Sequence, residues 1–237
     1  MKILVLESSG LVASVAVVTE EKLIGEYTTN FKKTHSQTLL PMMDTLLKMI
    51  GIPVQEMDAI AVSGGPGSFT GLRIGSATAK GLGLALSIPI ISVPTVDAIA
   101  YNLCGTDAVV CPLMDARRNQ TYTGLYTFDG DQMKCISGQK AVMLGEIIDE
   151  INQLGRKVIF LGDGVPVFKP YIEEHIQVPH SYAPIHLSQQ RAGALGALVL
   201  QYYHEGKYES AAEHQPDYLR LSQAERELAA KKGQEKA

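Results

Sequence analysis

The chain has 237 residues, 46% of them hydrophobic and 19% charged, with a formal net charge of −4. A chain of that length buries roughly 70% or more of its unfolded surface, so stability needs no disulfide or metal staple. The acidic balance excludes a protein that grips nucleic acid chiefly by its own charge: the basic residues come as isolated pairs, Lys32-Lys33, Arg117-Arg118 and Lys231-Lys232, and work on RNA would need a partner to supply much of the positive surface.

Ile3–Leu6 reads as a short buried strand, Ser8-Ser9-Gly10 as a turn, and 12–18 and 22–30 as two further strands of an antiparallel meander. Thr34-His35-Ser36-Gln37 has capping-box spacing and opens a helix that Gly51 and Pro53 close. Leu39, Leu40, Met42, Met43, Leu46, Leu47 and Ile50 cover more than half of its circumference. Such a helix is either a core helix with a wide face or one buried on two sides. Residues 58–63 form a strand that feeds the turn Gly64-Gly65-Pro66-Gly67-Ser68, and 70–86 form a helix rich in Gly, Ala and Ser. Glycine inside a helix costs about 1 kcal/mol relative to alanine, so several of them point to close approach of another backbone. A strand at 88–93 and a helix from Thr95 to about Leu103 complete this half.

The second half repeats the order: strands at 109–114, 121–128 and 132–141, a helix at 144–154, a strand at 158–161, the turn Gly162-Asp163-Gly164 and a short helix at 166–174. A helix at 188–204 follows, then an extended Pro216–Arg220 segment and a charged tail. Two βββαβα halves with mixed sheets flanked by helices and a cleft between them make an α/β chain of the actin-like (ASKHA, ribonuclease H-like) plan. The expected division is 1–104 for the first subdomain, 105–222 for the second, with helix 188–204 able to pack back on the first, and 223–237 for the tail.

The six histidines show no pair at i, i+4, which leaves only a metal site assembled from distant residues. Neither Ser63 nor Ser68 sits in a G-x-S-x-G elbow. Arg73-Ile74 stands where a phosphate-binding loop needs Lys-Ser/Thr, and Gly65, Gly67 and Gly71 miss the dinucleotide fingerprint by one position. Free N–H groups near Ser68–Gly71 could still hold a phosphate. Residues placed to meet an anion or nucleotide are Glu7, Ser8, Gly65, Gly67, Ser68, Arg73, Asp115, Gly162 and Asp163. Actin-like ATPases usually end their first strand in an aspartate; Glu7 takes that place, with an arm one methylene longer, which argues against autonomous ATP hydrolysis. Cys104, Cys111 and Cys135, odd in number and without C-x-x-C spacing, fit a reduced, cytoplasmic setting. The N-terminus is too soon charged for a signal peptide, and the longest uncharged run, 81–96, carries Pro89 and Pro94 and falls short of the ~20 residues of a spanning helix.

Several stretches together resemble the TsaB (YeaZ) family. Ser63-Gly64-Gly65-Pro66-Gly67-Ser68-Phe69-Thr70-Gly71-Leu72-Arg73-Ile74-Gly75 is similar to its signature. Ile3–Ser9, His35-Ser36, Leu39-Leu40-Pro41, Asp115-Ala116-Arg117-Arg118, Gly162-Asp163-Gly164 and Pro216–Arg220 follow it in order. Glu7 and Ser8 depart from it, since aspartate and threonine are more usual there. The resemblance implies an actin-like protein needed to make threonylcarbamoyladenosine beside the tRNA anticodon, without catalysing the transfer. A TsaD-type paralogue does that with an H-x-x-x-H metal pair, which this sequence lacks, and a TsaE-type protein supplies the ATPase. It implies no catalytic residue, no metal and no autonomously bound cofactor, with ATP only in the assembled complex and tRNA met through the complex. It further implies pairing, with a second copy or the paralogue, through the first two helices. The residues expected at that interface are Leu39, Met42, Met43, Leu46, Ile50, Gly75, Ala79 and Leu82, and charging Met42 or Leu46 would then abolish pairing with little loss of fold. A free-standing peptidase-like hydrolase or ATP-dependent kinase, or a bare dimerisation module, are the alternatives.

Overall fold

A computed structural model describes residues 1–31 and 33–219; the expected tail, 223–237, lies outside the described residues. In chain order the first half holds β1 (Lys2–Glu7), β2 (Ala13–Thr19), β3 (Leu23–Thr29), α1 (His35–Ile50), β4 (Ala59–Gly65), α2 (Phe69–Leu86), β5 (Ile90–Pro94) and α3 (Thr95–Ala100). The second holds β6 (Val109–Asp115), β7 (Gln120–Asp129), β8 (Gln132–Met143), α4 (Leu144–Leu154), β9 (Val158–Leu161), α5 (Val165–His175), β10 (His180–Tyr182) and α6 (Ala192–His204).

The two sheets have one topology. The first runs β3-β2-β1-β4-β5 and the second β8-β7-β6-β9-β10, each with an antiparallel meander on one side and parallel strands on the other. This is the actin-like α/β plan expected from the sequence. Side chains alternate across β1, β2 and β4 as the pleat requires. Leu4, Leu6, Val15, Val17, Ile60 and Val62 face α1 and α2. Ile3, Val5, Ala16, Val18, Ala59 and Ala61 face the other way, toward α3 and α6. In the second half one face packs on α4 and α5. The other packs Val110, Met114, Tyr126 and Leu161 against Val96, Ile99 and Ala100 of α3. That last cluster joins the halves at the base of the cleft, and the half-buried Asp97 carboxylate ties them further by accepting from the hydroxyls of Tyr126 at 2.6 Å and Tyr202 at 3.2 Å.

Some local readings need correction. Thr34 precedes α1, but its side chain makes no cap hydrogen bond; the turn is closed by Gln37 N–H on the Thr34 carbonyl at 2.9 Å. α6 starts at Ala192, not at 188, because Arg191 is extended. The glycines of α2 mostly answer to their own chain. A Cβ on Gly71 would overlap the Ser8 carbonyl oxygen, one on Gly75 the Ser8 hydroxyl, and one on Gly83 would come within 2.8 Å of Ala211 Cβ. At Gly81 a Cβ would meet nothing within 4 Å. The β6–β7 turn is strained: Arg117, Arg118 and Asn119 have φ of 65°, 58° and 57°. For Arg117 and Arg118 that left-handed region costs on the order of 1 kcal/mol each, whereas asparagine tolerates it.

Candidate functional site

β1 carries Glu7 to a buried position beneath the floor of the cleft, where it is 1% exposed. Its Oε1 accepts from the Ser9 N–H at 2.7 Å and the Ser9 hydroxyl at 2.6 Å, and its Oε2 accepts from the Ser63 hydroxyl on β4. Burial raises its pKa, against the pull of these hydrogen bonds and of the His35 charge. The rest of the β1–β2 turn is held as firmly. The Ser8 hydroxyl donates to Gly71 O at 2.9 Å, Ser68 N–H donates to Ser9 O at 2.7 Å, and His35 Nε2 lies 2.8 Å from Gly10 O. The carboxyl that would orient a metal or water in an ATPase of this plan here closes its own turn.

Above that floor lies a cleft of about 510 Å³ between the halves. Of the residues expected at an anion or nucleotide, Gly67, Ser68, Asp115 and Asp163 line it. The others do not. Glu7, Ser8 and Gly65 are buried within the first half, and Gly162 is buried under the second sheet, its N–H bonded to Ser188 O at 2.7 Å. Arg73 stacks over the Phe69 ring, 3.9 Å from its centroid, with Tyr218 alongside. Leu11, Arg117, Tyr122 and Val167 also line the cleft. Only the Asp115-Ala116-Arg117-Arg118 stretch could have signalled any of these; the others reach the cleft from separate loops and strands, with no local pattern.

Asp115 is paired with Arg117 at 3.0 Å, but the Arg117 side chain is 87% exposed, so the pair adds little stability. Asp163 differs: burial pushes it up to about 6, and the charge of Asp115 pushes the same way. Its Oδ1 is buried without a hydrogen-bond partner among the described residues. A carboxyl raised by folding favours the native state below its unfolded pKa and loses that advantage as pH climbs through 6. Asp163→Asn is therefore expected to melt higher than the parent chain at pH 7.5 and alongside it near pH 4, by thermal unfolding across that range. Equal melting temperatures at both ends would contradict the assignment.

The expected pairing surface requires the largest correction. Leu39, Met42 and Leu46 are 1%, 5% and 5% exposed and pack on the first sheet with buried Ala79. Gly75 is buried against Ser8, and Met43, Ile50 and Leu82 are half-buried against the same core. Five of the eight are therefore core residues of the first half, and only Met43, Ile50 and Leu82 reach its surface in part. α1 and α2 lie side by side on one sheet face, so their outer surfaces make one exposed layer. On it stand Leu40, Met49 and Leu84, exposed by 49%, 82% and 59%, with the small residues Ala77, Gly81 and Ala85 spaced four apart along α2.

Comparison with known proteins decides the family. Residues 22–228 match the family model described as TsaD, tRNA N6-adenosine threonylcarbamoyltransferase. The chain is 34% identical, over 95% of its length and 96% of the relative's, to the tRNA threonylcarbamoyladenosine biosynthesis protein TsaB of Bacillus subtilis. The chain belongs to the TsaB family. The protein of that name from Escherichia coli is 28% identical over 98% of the chain and all of the relative. The solved structure of YeaZ from Pseudomonas aeruginosa superimposes with a TM-score of 0.76 at 26% identity, covering 92% of this chain and 99% of that one. Among the described residues, no three His, Cys, Asp or Glu side chains converge as a metal set, and no helix is long and apolar enough to cross a membrane.

Proposed function

We propose that the chain is a non-catalytic subunit in the making of threonylcarbamoyladenosine in tRNA. It works in the cytoplasm with a TsaD-type catalytic subunit and a TsaE-type ATPase on the adenosine next to the anticodon, meets tRNA within that assembly, and takes part in ATP binding only there. Full-length likeness to proteins named for this biosynthesis supports the pathway. The enclosure of Glu7 by Ser9 and Ser63 is the observation that carries the non-catalytic role: the one carboxylate at the place of the superfamily's catalytic aspartate is held by its own turn.

The working surface in this reading is the outer layer of α1 and α2. Gly81 supports it, since its own fold leaves open space where a side chain would stand. A glycine inside a helix costs about 1 kcal/mol against alanine, and close approach of a partner backbone offsets that cost. Alone, the chain forms a symmetric dimer through this layer; in the assembly the paralogue takes the same place.

Reconstitution tests both parts. A TsaD-type subunit and a TsaE-type ATPase are expected to modify tRNA when this chain is added and to fail without it. Equal modification in its absence would end the proposal. Leu84→Glu is expected to turn the dimer into a monomer by light scattering, and to remove complementation, with far-ultraviolet circular dichroism unchanged.

A further inference from the structure

Gln120 N–H donates to the Arg117 carbonyl at 3.2 Å, so Arg118 and Asn119 occupy the two central positions of the β6–β7 turn. With φ of 58° and 57° they form a mirror-image turn of the I′ kind, whose central residues are normally Asn, Asp or Gly. Asn119 suits the geometry and Arg118 does not. Nor does the fold use its side chain. Arg118 is exposed and makes no hydrogen bond or ion pair with any described residue. Arg117 beside it gives one guanidinium nitrogen to Asp115 and keeps the rest of its fork in water. The tip borders the cleft opposite Ser68, which caps the 18-residue helix α2 and sets the positive end of its dipole there.

We propose that this tip, through Arg118 with Arg117 beside it, contacts the phosphate backbone of the RNA on which the assembly acts; this rests on the function proposed above. Two neighbouring guanidinium groups offer planar, forked donors that match phosphate oxygens. A side chain that the turn disfavours and the fold ignores is accounted for by a ligand outside the fold. The net charge of −4 agrees with one local contact in a composite RNA surface, not with autonomous RNA affinity.

The test uses the reconstituted three-protein assembly and a fluorescently labelled unmodified tRNA transcript, with binding read by anisotropy at several salt concentrations. Arg118→Asn gives the turn a residue it prefers, so the isolated chain is expected to melt at or above the parent temperature. Affinity for tRNA is expected to fall roughly 3- to 10-fold, with the log–log salt slope reduced by about 1, as loss of one phosphate contact requires. Unchanged affinity and slope would overturn the proposal. So would loss of subunit assembly without RNA, since the tip would then meet an acidic protein surface. Modification that depends on the parent chain, together with unaltered tRNA binding by Arg118→Asn, refutes the tip alone. Modification that proceeds without the chain refutes the proposed function, and the tip with it.

Discussion

Leu46→Asp is expected to destabilise the fold severely, not to release a monomer as stable as the parent. Leu46 is 5% exposed and packs in the core between α1 and the first sheet. Its Cδ1 lies where a side chain on Gly25 would stand, 2.9 Å from the position of a Cβ, so strand and helix leave no slack there. Truncating such a leucine costs about 2–5 kcal/mol, and placing a carboxylate in the gap adds a desolvation penalty. A loss of at least about 4 kcal/mol lowers the melting temperature by roughly 8–16 °C for a chain of this size. Met49→Asp, three residues on and 82% exposed, is expected to stay within about 0.5 kcal/mol of the parent. Thermal melts with size-exclusion chromatography separate the two. A Leu46→Asp protein that melts with the parent as a clean monomer would show that Leu46 faces outward after all.

Two glycines on one helix are expected to respond with opposite signs. A methyl group on Gly71 would overlap the Ser8 carbonyl oxygen and stand 3.2 Å from His35 Cδ2. The same turn of α2 receives the Ser8 hydroxyl on the Gly71 carbonyl and donates Ser68 N–H to Ser9 O, so it cannot retreat without breaking its ties to β1. Gly71→Ala is expected to cost about 3 kcal/mol, the upper range for overpacking a tight contact. Gly81→Ala meets open space and is expected to stabilise the lone chain by about 1 kcal/mol while weakening association. Denaturant unfolding of both variants checks this; equal shifts would remove the distinction between a glycine that the fold needs and one that it does not.

What could be read from the sequence follows from which signals are local. α4 was legible to the residue because Leu144, Ile147, Ile148 and Ile151 repeat at helical spacing and Gly155 ends the helix in a left-handed cap. Four buried side chains of that size supply about 1.5–3 kcal/mol each, enough to fix the element by itself. β10 was invisible: His180, Ser181 and Tyr182 show no apolar alternation, and the strand exists because β9 offers a parallel edge. The wide apolar arc of α1 misled for a related reason. Counting apolar residues on a helix gives the width of its buried face but not what buries it. Here the first sheet covers Leu39, Met42, Leu46 and Leu47, and Ile50 and Met43 pack at its margins. The cleft was half legible, since Ser68, Asp115 and Asp163 stand at ends of elements, whereas Leu11, Tyr122 and Val167 are gathered only by the tertiary fold.

α6 follows the second sheet in the chain but closes the first, laying Ala192, Leu195, Leu198 and Val199 on Ile3, Val5, Ala16 and Val18. A ribosome therefore completes β5 long before the helix that shields its greasy underside exists. At about 5–20 residues per second, the nascent sheet waits on the order of 5–20 s for that cover. A fragment ending near residue 104 would carry the same bare surface permanently, and the emerging polypeptide gives holding chaperones a target until α6 clears the exit tunnel.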